Sequence, residues 1–161
     1  MSIVDTIVHS DLVVWVAESD WGYPIVLTTH AIGMALVVGI VLMFCIRVLG
    51  YANRIPLSGF QQLYPVLFIG AAINVFSGSL LFLANYTAFI HNTAFITKIC
   101  LLITGGIAAW VLAREVRTQL QLSPDAETTS QRSKWIAALS LILWLGAIAA
   151  GRIVGYTSMP E

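Results

Sequence analysis

Between Arg54 and Lys98 the chain carries no formally charged side chain, and within that stretch lies a run rich in Leu, Ile, Val and Phe. Soluble domains average about 25% charged residues; here only 10% of the 161 residues are charged and 58% are hydrophobic. Mean hydropathy is +0.87. A chain of this kind is at home in lipid, and its length suits one compact domain. Its formal net charge is zero, so no nucleic-acid partner is expected.

A bilayer core of about 30 Å needs about 20 apolar residues per helix. Four segments meet that length: about residues 24–48, 63–84, 93–113 and 135–154. The pattern predicts an all-α membrane protein, an antiparallel bundle of four transmembrane helices occupying residues 23–156, with a short tail at 157–161. Pro24 suits the opening turn of the first helix, where its missing N–H is no loss. The polar stretch LSPDAETTSQRS, from Leu122 to Ser133, reads as the one long hydrophilic linker.

Residues 1–22 differ from the spans. IVDTIVHSDLVVWVAES mixes apolar pairs with Asp5, His9 and Asp11 and has no basic residue. A signal peptide has a positive start and a small-residue cleavage site, so the segment reads as an amphipathic helix lying at the interface. Trp21 and Tyr23 then sit at headgroup depth.

Orientation follows from basic residues. Arg47 and Arg54 flank the first loop, and Arg114, Arg117, Arg132 and Lys134 flank the third. The opposite side receives only Lys98 and Arg152, within helices, together with Asp5, Asp11, Glu18 and Asp20. Positive loops stay in the cytoplasm, which predicts a bacterial inner-membrane protein with both termini periplasmic.

Ionisable residues inside spans are functional candidates by default. His30 falls roughly 9 Å below the outer end of the first helix at 1.5 Å per residue. Lys98 falls at a similar depth in the third helix, and Arg152 near the outer end of the fourth. The second helix adds Asn74, Ser77 and Ser79. All lie in the outer half of their spans, beside small residues such as Gly33, Gly70, Gly78 and Gly105. Each also has a plainer role. His30 can hydrogen-bond to Asn74 or a serine and hold helices together, and Lys98 can snorkel its amine to the interface. Arg152 can snorkel or pair with Glu18 or Asp20; His91 reads as an exposed loop residue. The glycines can simply allow close helix packing. Cys45 and Cys100 lie at opposite depths, beyond the ~7 Å Cα limit for a disulfide, and read as small apolar packers.

Three stretches resemble a group of small bacterial four-helix membrane proteins: HAIGMALVVGIVLMFCIRVLG, FITKICLLITGGIAAWVLAREVR and AAGRIVGYT. The group includes the copper-resistance D-like domain and the membrane protoporphyrinogen oxidase of the HemJ type. The resemblance to the oxidase branch implies a haem or porphyrin guest, with His30 and Lys98 as the functional pair. The copper branch calls for clustered soft donors, whereas Met34, Met43 and Cys45 are spread along the first helix.

Two functions follow as expectations. One is a redox or porphyrin-handling protein that binds a b-type haem in the periplasmic half. His30 is then an axial ligand, Lys98 or His91 the second ligand or a distal group, and Arg152 the cation for a propionate, near Asn74 and Ser77. Its partners would be other membrane or periplasmic redox proteins. The other is a non-catalytic subunit or anchor that docks a partner. Quinone binding and small-solute transport also stay open.

Overall fold

The computed structural model describes residues 8–123 and 129–157, and among these the chain is all-helical, with no strand. The start of the expected interfacial segment, Asp5 included, the centre of the linker and the tail beyond Thr157 lie outside the described residues. The helices are α1 (Asp11–Glu18), α2 (Gly22–Leu49), α3 (Tyr64–Ala84), α4 (Tyr86–Phe89), α5 (Thr93–Leu122) and α6 (Gln131–Thr157). A 3₁₀ segment, Leu57–Leu63, leads into α3. Four helices are long and apolar enough to cross a membrane: α2, α3 with its 3₁₀ lead, α5 and α6.

The chain divides into two compact units, one formed by residues 1–37 and 66–91, the other by 38–65 and 92–161. In the first unit, α1 buries Val13 and Val16 against Val26, Leu80 and Leu81 of α2 and α3. Gly22 makes this approach feasible, since a Cβ there would collide with the Trp15 carbonyl oxygen. Leu12 and Trp15, on the other side of α1, are exposed. α2 begins two residues before Pro24 because the Ser19 hydroxyl accepts the Trp21 and Gly22 N–H groups, both at 3.3 Å. Those are donors that a helix start otherwise leaves unsatisfied.

In the second unit α5 and α6 run side by side in opposite directions. Asn92 donates to Thr157 Oγ1 at one end (2.9 Å), and Gln119 to Ser133 Oγ at the other (3.1 Å). Asn92 also caps α5, its side chain accepting from Ala94 N and Phe95 N. α5 runs on to Leu122, past the expected end of its span at Ala113. The residues there are good helix formers, and Leu112 and Val116 are buried. The lower part of α2 ends in a Schellman motif: Gly50 takes φ 98°, Tyr51 N reaches Ile46 O, and Gly50 N reaches Arg47 O. That arrangement satisfies carbonyls at the helix end.

The radial pattern is inverted relative to a soluble protein. The buried positions of α6 are Ser133, Ala137, Ser140, Trp144, Ala147, Ala150 and Val154, at spacings of three or four, and all but Trp144 and Val154 are alanine or serine. Ile103, Ile107 and Ile142 are exposed in this unit, as are Phe68, Ile69, Val75 and Phe76 in the first. Small residues inside and large apolar ones outside are what lipid favours, because the tails are as apolar as leucine and close backbone contact drives association. Trp110 and Trp135 are exposed beside the basic residues of α5 and α6, and Tyr156 near the other end of α6. Aromatic residues at such points mark membrane–water interfaces.

Candidate functional site

His30 is held by α3 through a compact set of polar contacts within the first unit. Its Nδ1 lies 3.1 Å from the Asn74 carbonyl oxygen and 3.1 Å from Ser77 Oγ. The Asn74 side chain returns the contact, donating from Nδ2 to the His30 carbonyl oxygen at 3.1 Å. Ser77 donates its one hydroxyl proton to Ile73 O at 2.6 Å. A carbonyl oxygen only accepts, and a serine whose proton is committed accepts as well. The proton between these groups therefore belongs to Nδ1 of His30. In the neutral ring the lone pair is then on Nε2.

Glycines make room for this arrangement. A Cβ at Gly78 would lie 3.0 Å from His30 Cε1, so the imidazole rests on a bare stretch of α3. One turn along α2, a Cβ at Gly33 would meet Asn74 N and Gly70 O, both at 2.9 Å. α2 and α3 are thus in near backbone contact where His30 reaches across. Ser79 takes no part: its hydroxyl bonds back to Val75 O at 2.8 Å and is exposed.

The other expected residues belong elsewhere. Lys98 is in the second unit, half-buried, with its aliphatic stem along Gly151: a Cβ at Gly151 would meet Lys98 Cδ and Cε at 3.4 Å. Arg152, in the same unit, is exposed and lays its guanidinium over the Tyr156 ring, 5.4 Å from the centroid. His91 is exposed in the turn before α5. The structure therefore assembles His30, Asn74 and Ser77, and gives Lys98 and Arg152 partners of their own. Among the described residues, no group of three or more His, Cys, Asp or Glu side chains is placed to hold a metal.

Three details escape sequence reading. Arg47 is 3% exposed, its Nε donating to Ile55 O and its Nη1 to Asn53 Oδ1. The expectation of two packed cysteines divides: Cys45 is buried beside Ser140, whereas Cys100 is exposed. On an apolar helix surface Cys100 meets lipid as readily as an alanine does. Trp144 is buried against Gly105, and its Nε1–H has no hydrogen-bond partner among the described residues.

No protein-family model, curated protein or solved structure matches the chain. Fold and surface define its class: a membrane protein with four apolar helices long enough to span.

Proposed function

We propose that this protein is an inner-membrane four-helix antiparallel bundle, both termini periplasmic and the N-terminal helix at the interface, that binds a b-type haem through His30. The observation that carries the reading is the state of the imidazole. A ligating histidine almost always gives its other ring N–H to a carbonyl or carboxylate, which fixes tautomer and orientation. Nδ1 of His30 stands in that relation to the Asn74 carbonyl and Ser77, and Nε2 is the ring nitrogen that would bind the iron. In donor chemistry the first unit offers one oriented imidazole, His30, and a second, exposed histidine, His91. A haem held there would supply one-electron transfer. Asn74 and Ser77 hold the ring in place. The reaction partners are other membrane or periplasmic redox proteins.

A second reading has its own observation. The reciprocal bonds between His30 and Asn74 also join α2 to α3, as expected of a structural clasp in an anchor or non-catalytic subunit. The absorption spectrum of purified protein separates the two. A Soret band lost in His30→Ala and kept in His9→Ala supports haem. A colourless wild type, expressed with ample haem supply and merely destabilised by His30→Ala, refutes it and leaves the clasp.

A further inference from the structure

At the ends of α5 and α6 near Leu122 and Gln131 lies an open groove of about 490 Å³, in the size range of small-molecule sites. Its walls include Trp110, Val111, Arg114, Glu115 and Arg132. It sits where the apolar run of α5 gives way to charge, the depth at which a bilayer presents its headgroups. Arg114 lies over the Trp110 ring, 5.8 Å from the centroid, which holds the cation at the interface. Glu115 is already engaged: Arg132 Nε is 3.5 Å from Oε2, and the Ser130 and Ser133 hydroxyls reach Oε1 at 3.4 Å. The Arg132 side chain is nevertheless 78% exposed, so it can still turn other N–H groups outward. The lining thus sets two cations, Arg114 and Arg132, against one carboxylate, Glu115. The start of α6 adds the positive end of a helix dipole. The groove is thus cationic at its rim and apolar at its Trp110 and Val111 wall.

We propose that this groove binds the phosphate of an anionic membrane lipid, gripped by Arg114 and Arg132, with an acyl chain running along Trp110 and Val111. The shared chemistry is a phosphate, and the apolar wall favours the lipid over the free anion. Basic pockets between transmembrane helices on the cytoplasmic side bind such headgroups.

The test reconstitutes the full chain in nanodiscs of phosphatidylcholine, with or without phosphatidylglycerol, and counts co-purifying lipid by native mass spectrometry. Wild type is expected to retain phosphatidylglycerol in preference to phosphatidylcholine. Arg114→Gln with Arg132→Gln should weaken that retention about thirtyfold, from the usual contribution per basic residue near a surface. Arg152→Gln, which removes one positive charge at the far end of α6, should retain it. Arg114→Lys with Arg132→Lys keeps the charge and should retain most of it, which separates lost binding from lost folding. Equal retention of both lipids by wild type, or unchanged retention in the glutamine pair, overturns the proposal. So does inorganic phosphate, if it raises thermal stability in phosphatidylcholine discs as much as phosphatidylglycerol does, because the ligand is then the free anion.

Discussion

Replacing Gly33 with alanine tests the close contact between α2 and α3 more directly than any polar substitution. The new methyl would sit 2.9 Å from Asn74 N, 2.9 Å from Gly70 O and 3.0 Å from Ile73 Cγ2. Ordinary contact begins near 3.4 Å, so the helices must part by roughly half an ångström, and two of the three obstructing atoms are backbone. Overpacking of this kind costs about 1–3 kcal/mol. Alanine also gains up to about 1 kcal/mol in helix propensity over glycine, which blurs a single measurement. Gly39 supplies the control: it lies in the same helix, and a Cβ there meets nothing within 4 Å. Propensity cancels between the two variants, so Gly33→Ala should be less stable than Gly39→Ala by about 1–3 kcal/mol. Unfolding from mild detergent with increasing dodecyl sulfate, followed by circular dichroism, reads the difference. Gly70→Ala, whose Cβ would lie 2.8 Å from Leu36 Cβ, should add less than its separate cost to Gly33→Ala, because one helix shift relieves both. Equal stability of Gly33→Ala and Gly39→Ala would refute the reasoning.

Trp144→Phe removes a buried N–H that has no partner among the described residues; since an unsatisfied donor costs about 1–3 kcal/mol, the unfolding midpoint should hold or rise despite the smaller ring. Lys98→Arg should leave stability and any cofactor spectrum as in wild type if Lys98 is an interfacial anchor. If it must lose a proton to act, Lys98→Arg should be as damaging as Lys98→Met, because arginine is effectively never deprotonated. Asn74→Ala deletes the bond to the His30 carbonyl and should lower stability by about 0.6 kcal/mol, the average for hydrogen bonds between membrane helices; no change in a denaturant titration counts against the clasp. For the orientation, a cysteine at Ser123 should label only from the cytoplasm, and cysteines at Ser2 and Glu161 only from the periplasm. Labelling of either terminus from the cytoplasm alone overturns it.

The spans were legible because lipid imposes a single requirement, an apolar run about 20 residues long in which the backbone satisfies itself. Their ends were not. α2 starts at Gly22 because Ser19 caps it, a bond between residues that composition does not single out. α5 outlasts its apolar run because helix propensity continues after hydropathy fails. At the candidate site, residue types pointed to His30, Lys98, Arg152, Asn74, Ser77 and His91, of which the structure brings together His30, Asn74 and Ser77. The sequence could not show that the Asn74 backbone, as well as its side chain, engages the histidine. That contact depends on how closely α2 approaches α3, which Gly33 and Gly70 decide together. The groove at Arg114 and Arg132 was hidden for a similar reason. Its α5 wall follows from spacing along one helix, but Arg132 joins it only when α6 packs alongside.

Arg47 shows that one residue can act at two times in the life of a protein. In the proposed orientation it contributes to the charge bias that decides which way the nascent first hairpin enters the bilayer, an event that precedes packing. In the finished molecule it is enclosed, its guanidinium tied to Ile55 and Asn53. Biogenesis and architecture therefore make separate demands on it, the first for any positive charge and the second for a forked donor. Lysine meets only the first. Arg47→Lys should yield correctly inserted molecules with a slackened loop, while a neutral residue yields a mixed population in which some molecules are upside down.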